Sequence, residues 1–199
     1  EDLFLAKAIQ DPNNRAEAGL FLSLLPADLK TFIDSGVKKI VVSSPHCYHT
    51  FKNEYPDLGG NFEVLHISQY FLELINAGRI KFTKELKKKV TYHDPCHLRT
   101  RNITRQPREL LKAAPGVELR EMEGADKCCG LGGTFNVYHY ESSLQINAAK
   151  SAAIIASGAE SVATGCPGCM MQLSDGLKQH GSSVEVLHTL QLLARRLKL

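Results

Sequence analysis

Short runs of β-branched and apolar residues alternate along the chain with longer segments of helical periodicity. The short runs predict buried strands at Lys38–Ser43, Phe62–His66, Lys89–His93, Val117–Arg120 and Ser161–Thr164. A helix is predicted over 141–156, with an apolar face formed by Leu144, Ala148, Ala152 and Ile155. An apolar patch at 18–25, which stops at Pro26, predicts a further buried helix. This alternation predicts an α/β fold with mainly parallel sheets.

The sequence also repeats itself at an offset of 122 residues. SGVKKIVVSSPHCYHTF (35–51) aligns with SGAESVATGCPGCMMQL (157–173), and FEVLH (62–66) aligns with VEVLH (184–188) at the same offset. Each copy contains a strand, a Pro-x-Cys turn into a helix, and a second strand that ends in histidine. We therefore predict two similar βαβ-type halves, residues 1–82 and 83–199. The matching histidines, His66 and His188, are expected to be structural rather than catalytic.

Five of the six cysteines lie in the second copy, after predicted strands or in a glycine-rich loop. They are Cys96, Cys128, Cys129, Cys166 and Cys169. Ligands of parallel α/β sheets gather at the carboxyl ends of the strands, so we expect these segments to converge there. Five thiolates exceed the four needed by a structural zinc ion or by an ordinary cubane cluster. A zinc site and a set of inert buried thiols remain the alternatives to an iron–sulfur site.

The loop KCCGLGG (127–133) places two adjacent cysteines beside three glycines. Two neighbouring thiolates chelate a single tetrahedral ion poorly, but they can serve different irons of a multi-iron cluster. The glycines allow positive φ angles and a close approach of the backbone. Their amides are expected to donate hydrogen bonds to sulfur, which tunes a reduction potential.

The first copy lacks most of these thiols. Cys47 matches Cys169, but Ser44 stands where the second copy has Cys166. The position equivalent to Cys96 falls before Glu1, so the first copy is incomplete at its start. Cys47 is therefore expected to be a leftover buried thiol, or else a reactive thiol or a ligand on the substrate side.

Composition and charge are those of an ordinary globular protein. The chain of 199 residues is 43% hydrophobic and 23% charged, and its net charge of +3 is too small to indicate a nucleic-acid partner. The chain is longer and richer in charged, helix-like segments than disulfide-stapled secreted domains, so we expect a reducing, cytoplasmic location. The sequence starts with neither Met nor a signal peptide, and could be processed, excised or part of a longer protein.

The pattern C-x31-CC-x36-C-x2-C resembles the cysteine-rich CCG motif. That motif occurs in B- and D-type subunits of heterodisulfide reductases and in iron–sulfur subunits of lactate, glycolate and glycerol-3-phosphate oxidising systems. The segments YHDPCHLRTR, KCCGLGG and GCPGCMMQL carry the likeness, and SSPHCYHTFKNEYP resembles the end of the family's first repeat. The resemblance covers nearly the whole chain.

The resemblance implies one noncubane [4Fe–4S] cluster, held by the five cysteines at the strand carboxyl ends of the second half. It also implies an oxidoreductase subunit with ferredoxin-like, flavoprotein, or membrane cytochrome or quinone partners. Such partners would place it in the cytoplasm or at the cytoplasmic face of a membrane. The cluster either cleaves a small disulfide substrate or only relays electrons, and the depleted first repeat favours relay or a changed reaction. A zinc-binding assembly module without redox activity is the alternative function.

His93 and His97 flank Cys96 in the segment HDPCH. Histidine titrates near neutral pH, so either one is a candidate proton donor to a departing thiolate. The structural alternative is that both hydrogen-bond around the site while Asp94 caps the following helix. Cys47 is the remaining catalytic candidate.

Overall fold

The computed structural model describes residues 29–194 and 197–198, so the helix predicted at 18–25 lies outside the described residues. Among the described residues, no helix is both long enough and apolar enough to cross a bilayer. The chain divides into two compact units. The described part of unit 1 is 29–42 and 46–65, and that of unit 2 is 43–45, 66–194 and 197–198.

Unit 1 is built around a two-stranded sheet of β1 and β2. Its elements are a helical segment at 29–34, β1 Lys39–Val42, α1 Pro45–His49, a π-helical turn Thr50–Glu54, a 3-10 turn Tyr55–Leu58 and β2 Glu63–His66. Leu29 and Tyr55 are buried in its core, with Phe32, Phe51 and Phe62 packed against them. Aromatic side chains thus make up most of this core cluster.

Unit 2 contains the remaining elements. Its helices are α2 Ile67–Asn76, α3 Cys96–Arg99, α4 Arg105–Ala113, α5 Phe135–Tyr138, α6 Tyr140–Ala156, α7 Pro167–Gln179 and α8 Thr189–Ala194. Its strands are β3 Lys81–Phe82, β4 Lys88–His93, β5 Val117–Leu119, β6 Ser161–Thr164, β7 Glu185–His188 and β8 Leu197–Lys198. β3 and β8 form a short antiparallel pair.

The main sheet has the strand order β5-β4-β6-β7, and all three pairings are parallel. The register places His93 beside Thr164, and Thr164 beside His188, so these three residues form a row at the carboxyl ends of the strands. The predicted α/β class with a parallel sheet is confirmed. The five strands predicted from the sequence are all present, and none of their ends differs from the prediction by more than one residue.

Both faces of the main sheet are covered. On one face, Val90, Tyr92 and Ala163 pack with Leu111 and Leu192. The other face carries the core cluster that contains three of the cysteines, and its members are Met122, Cys129, Ile154, Val162, Cys166, Cys169, Leu173 and Leu177. Burial on both faces explains why β6 has no exposed residue, as is usual for a central strand of a parallel sheet.

Helix α6 lies where the sequence predicts it, but its predicted apolar face is wrong. Ala152 and Ile155 are exposed, whereas the buried positions are Ser143, Asn147, Lys150, Ser151 and Ile154. The polar side chains face inward because they hydrogen-bond to a loop and to α7, as described below. A count of apolar residues alone cannot detect a buried polar face.

The strands of the two predicted repeats begin and end 122 residues apart. β1 and β2 correspond residue for residue to β6 and β7, and α1 and α7 both begin at proline. The compact units divide the chain at residues 42–46 and 65–66, whereas the predicted repeat boundary lies at 82–83. The division into halves 1–82 and 83–199 stays a prediction.

Candidate functional site

Three neighbouring strands of the main sheet lead into the cysteine-bearing segments. β4 ends at His93 and is followed by Cys96, the first residue of α3. β6 ends at Thr164 and is followed by Cys166, which is the N-cap of α7. The long loop after β5 carries Cys128 and Cys129.

The five cysteines of the second copy come together in unit 2, and all six cysteines of the chain are free thiols. Their side chains form a continuous series of hydrogen-bond contacts in the order Cys96, Cys128, Cys129, Cys169, Cys166. Cys129, Cys166 and Cys169 are buried, whereas Cys128 is exposed. The set therefore reaches from the core cluster to the surface.

The pKa values of the clustered thiols differ widely. The pKa of Cys128 is lowered to about 2, because its sulfur accepts hydrogen bonds from the thiols of Cys129 and Cys96 and from the Gly130 amide. The pKa of Cys129 is raised to about 11, chiefly because it donates to Cys128. The pKa values of Cys96 and Cys169 are raised well above the ordinary thiol value by donation to their neighbours and by burial. Without a bound cation, negative charge thus concentrates on Cys128.

The glycine-rich loop has the conformation that the sequence predicts. The φ angles of Gly130, Gly132 and Gly133 are 99°, 54° and 62°. The Gly130 amide donates to Cys128 Sγ at 3.3 Å, so the expected contact between amide and sulfur is present at this glycine. A Cβ atom on Gly130 would lie 2.7 Å from the Ser143 carbonyl oxygen, which shows how closely this loop approaches α6.

A buried series of polar side chains on α6 holds the loop and α7. Ser143 Oγ donates to the Gly130 carbonyl at 2.8 Å and accepts from Gln172 Nε2 at 3.1 Å. Asn147 Nδ2 donates to the Gln172 carbonyl at 2.6 Å, and Ser151 Oγ donates to Asn147 Oδ1 at 3.1 Å. Because these buried polar groups have hydrogen-bond partners, the cost of removing them from water is offset while the series orders the loop.

Lys150 is a buried cation beside the thiols that the sequence analysis missed. The residue is 3% exposed, and its Nζ donates to the Gly124 carbonyl. Burial lowers the pKa of Lys150, while the charges of Cys129, Asp126 and Asp94 act in the opposite direction. Helical spacing places Lys150 on the same face of α6 as Ser143, Asn147 and Ile154, and this spacing could have identified it from the sequence.

His93 is buried at the site with both ring nitrogens lacking a hydrogen-bond partner among the described residues. One of its ring nitrogens and the sulfurs of Cys129 and Cys169 lie within 4.8 Å of one another. Burial, followed by the charge of Lys150, lowers the pKa of His93 to about 3, so the ring is neutral near pH 7. Thr164 Oγ1, the neighbour of His93 across the ladder, is also buried without a partner among these residues.

The other sequence candidates lie in different surroundings. His97 Nδ1 is 3.4 Å from Cys96 Sγ, so this histidine contacts the cysteine set directly. Cys47 belongs to unit 1, where it is an exposed residue of α1, so the prediction of a buried leftover thiol is wrong. α1 presents this residue outward while its neighbour Tyr48 is buried.

Asp94 does not cap α3, contrary to the structural alternative drawn from the sequence. Pro95 is the N-cap residue, and no side chain caps this helix. The buried Asp94 carboxylate instead accepts two hydrogen bonds from Arg108, at 2.8 and 2.7 Å. Arg108 also lies 5.3 Å from the centre of the Tyr92 ring and pairs with Glu121. This bidentate pair holds the turn between β4 and Cys96.

A comparison with protein families matches residues 90–174 to the family described as "CCG: Cysteine-rich domain". Among solved structures, a putative Asp/Glu racemase from Yersinia pestis has 16% identity and a TM-score of 0.37, covering 95% of this chain and 76% of that one. That likeness is too low to bear on fold or function.

Three curated relatives are similar over most of this chain. "Probable iron-sulfur-binding oxidoreductase FadF" of Bacillus subtilis is 36% identical over 190 residues, which is 92% of this chain and 27% of the relative. "EtfAB:quinone oxidoreductase" of Syntrophomonas wolfei is 37% identical, with 80% and 24% covered. The D-type chain of the dihydromethanophenazine:CoB–CoM heterodisulfide reductase of Methanosarcina barkeri is 33% identical, with 82% and 42% covered.

The chain thus spans between about a quarter and two fifths of the length of these relatives. The match over residues 90–174 contains all five cysteines of the second copy. Residues 90–174 of this chain match the cysteine-rich domain of the CCG family, and the chain is a relative of an iron–sulfur oxidoreductase and of the D-type chain of a heterodisulfide reductase.

Proposed function

We propose that the chain is an iron–sulfur redox subunit whose five clustered cysteines hold one [4Fe–4S] cluster of the noncubane type. The observation that carries the proposal is the continuous contact of Cys96, Cys128, Cys129, Cys169 and Cys166 after three adjacent parallel strands. Five thiols at one point exceed the four ligands of a tetrahedral ion. The name of one relative, FadF, also refers to iron–sulfur binding.

The polar atoms around the thiols fit a bound sulfur-rich group. His93 and Thr164 bury polar atoms that have no partner among the described residues, next to the buried cysteines. Burial of an unpaired polar group costs free energy unless a ligand supplies the missing hydrogen bond. Inorganic sulfides and thiolates of a cluster accept such bonds, so the donor set and its surroundings suit an iron–sulfur group.

The chain's residues then have distinct tasks. The five thiolates bind the iron, and the apolar core around Ile154, Val162 and Leu173 excludes water from the buried side. The Lys150 ammonium offsets part of the negative charge of the thiolates, and the Gly130 amide stabilises the sulfur of Cys128. When bound, the cluster supplies one-electron chemistry and iron sites that can accept a thiolate.

Electron relay is the activity that we propose first. Electrons would enter from a reduced flavoprotein or ferredoxin-like partner and leave to a quinone-reducing or cytochrome partner, without a bond being made in this chain. The relatives named as a quinone oxidoreductase and as part of a reductase support a redox complex of this kind. We place the protein in the cytoplasm, or at the cytoplasmic face of a membrane through such a partner. Its two halves, 1–82 and 83–199, would derive from one duplicated unit.

Disulfide reduction is the second candidate, and a cavity beside the cysteines favours it. A cleft of about 690 Å³ is lined by Cys128, Lys127 and Lys150 and by alanines of α6. A small disulfide bound there would be reduced to two thiols by two electrons from the redox partner and two protons. His97, in contact with Cys96, and His93 are the candidate proton donors, and Cys47 stays a candidate thiol of the reaction.

The deciding experiment measures iron and acid-labile sulfide per chain after anaerobic purification, with an EPR spectrum before and after oxidation. We expect about four of each, as the cluster formula requires. A Cys128→Ser variant should lose the spectrum, whereas Cys47→Ser, which alters a cysteine outside the five, should keep it. Zinc without sulfide, even after anaerobic reconstitution, would refute the redox function and leave an assembly module.

Reduction of disulfides by a reduced viologen dye then separates the two activities. A relay protein does not turn over disulfides under these conditions, whereas a disulfide reductase does. Loss of that turnover in Cys47→Ser, with an unchanged cluster spectrum, would assign a reactive role to Cys47.

A further inference from the structure

His66, at the end of β2, is completely buried and has both ring nitrogens engaged. Its Nδ1 accepts a hydrogen bond from the Ser68 amide at 3.3 Å, which is a helix-capping contact at the start of α2. A nitrogen that accepts from an amide carries no proton, so the proton is on Nε2. Nε2 therefore donates to the Gly165 carbonyl, 3.0 Å away.

His188 makes equivalent contacts with the backbone 122 residues later, but it lacks the additional 2.8 Å contact of His66 Nδ1 with Ser68 Oγ. Its Nδ1 accepts from the Leu190 amide at 3.3 Å, and its Nε2 donates to the Ser43 carbonyl at 3.1 Å. The backbone amides of His66 and His188 also donate to equivalent glutamine side chains, Gln69 and Gln191. The bonds are reciprocal, because the histidine of each copy holds the strand-end loop of the other copy.

The two loops differ in the residue after the bonded carbonyl. Ser43 precedes Ser44, whereas Gly165 precedes Cys166, one of the five cysteines. Cys166 is the N-cap of α7, and its sulfur accepts from the Cys169 amide at 3.5 Å. The orientation of the peptide between residues 165 and 166 therefore influences where two sulfurs lie.

His66 packs so closely against Gly165 that position 165 has no space for a side chain. A Cβ atom at Gly165 would lie 2.9 Å from His66 Cε1 and 3.0 Å from Leu98 Cδ1. Burial lowers the pKa of His66 to about 4, so near neutral pH the ring keeps the neutral form that both bonds require. The side chain is thus held from both sides in one orientation.

We infer that His66 is a positioning residue for the cysteine site, since it holds the Gly165 carbonyl and thereby the Cys166 sulfur. This inference rests on the proposed cluster-binding function. It gives the first repeat, which has one cysteine, a task in the site of the second. His66 acts on the cysteine site through the backbone of the loop, at the Gly165 carbonyl.

The test compares His66→Ala with His188→Ala, because the two histidines occupy matching environments. Both variants remove a buried ring and a capping bond, so their thermal stabilities should fall to a similar extent. Cluster release to an iron chelator should become about 10–100-fold faster in His66→Ala, as is typical when a group that orients a metal ligand is lost. His188→Ala, which removes the 3.1 Å bond to the Ser43 carbonyl instead, should release the cluster more slowly than His66→Ala.

A conservative variant and a spectroscopic measurement complete the design. The amide nitrogen of His66→Gln can still donate to the Gly165 carbonyl, so this variant should restore slow release and the original EPR spectrum. Equal release rates in His66→Ala and His188→Ala, or no rescue by glutamine, would overturn the positioning role.

A failure of the proposed function gives a different result, namely no iron and sulfide in the unaltered protein. The positioning role is then measured on the cluster-free chain, by mass spectrometry of alkylation at Cys166. His66→Ala should expose this thiol faster than His188→Ala. Equal alkylation rates would refute the role in that case as well.

Discussion

Gly130 and Gly133 offer a controlled test of how the cysteine loop is held. Both have positive φ angles, 99° and 62°, but their surroundings differ. A Cβ atom at Gly130 would lie 2.7 Å from the Ser143 carbonyl oxygen, which belongs to the backbone of α6. At Gly133 no atom lies within 4 Å of the added carbon. Alanine at either position therefore meets the same kind of backbone strain, but only one substitution produces a steric clash.

The magnitudes come from these two contributions. The left-handed conformation costs an alanine about 1–2 kcal/mol at either position. Overpacking against a rigid backbone adds about 1–3 kcal/mol for Gly130→Ala alone. In a chain of this size 1 kcal/mol lowers the melting temperature by about 2–4 °C, so Gly130→Ala should melt about 2–12 °C below Gly133→Ala.

The assay is thermal unfolding of the cluster-free protein under anaerobic, reducing conditions, followed by circular dichroism. Cluster content of the reconstituted variants is measured in parallel, and Gly130→Ala should retain less iron than Gly133→Ala. Equal melting temperatures would refute the close packing of the loop on α6. A lower melting temperature for Gly133→Ala than for Gly130→Ala would also refute this close packing.

Three further predictions concern the residues around the loop. Arg108→Met leaves the buried Asp94 carboxylate without its partner and should lower the free energy of unfolding in urea by about 3–5 kcal/mol. The control Arg120→Met breaks an exposed pair with Glu118 and should lower it by about 0–1 kcal/mol. Similar losses in the two variants would contradict the role of the Asp94 pair. The pKa of His66 is lowered from 6.5 to about 4, so the unfolded chain takes up the proton first on acidification, and stability is lost as pH falls from 6.5 to 4. This loss is about 2 kcal/mol at pH 5 and should be missing from the pH dependence of unfolding in His66→Gln. His93→Leu replaces a ring with no partner among the described residues, so the cluster-free protein should stay about as stable as before. The cluster-loaded variant should release iron about 10–100-fold faster. A large loss of stability in the cluster-free protein would show that His93 has a purely structural role.

The local pattern was sufficient for five strands, for helix α6 and for the convergence of the cysteines. A short β-branched run bounded by turn residues has few alternatives to a buried strand. Cys96 and Cys166 come shortly after such runs, and Cys128 and Cys129 lie in the long loop that follows another. Because parallel strands end at a common edge, the order of strands and cysteines along the chain predicted that these thiols would meet. The positive φ angles of the CCGLGG loop were predictable from its glycines.

Contacts between distant residues were decided by the tertiary structure alone. The apolar spacing of α6 suggested one face, but Ser143 and Asn147 are buried because they bond to Gly130 and Gln172. Asp94 resembled a helix cap, but its carboxylate is bound by Arg108, fourteen residues away. In general, a polar residue faces the core only where a hydrogen-bond partner is buried with it. The local spacing of residues carries no information about which distant polar group that partner is.

The repeat shows the same division between local and remote information. The 122-residue offset in the sequence matches the bounds of β1 and β6 and of β2 and β7 residue for residue. The reciprocal bonds of His66 and His188 were not predictable, since each donor and its acceptor lie in different copies. The sequence by itself determined which residues are equivalent, because equivalence depends on order along the chain. Only the tertiary structure decided which of them touch, because contact depends on how the strand ends are brought together in space.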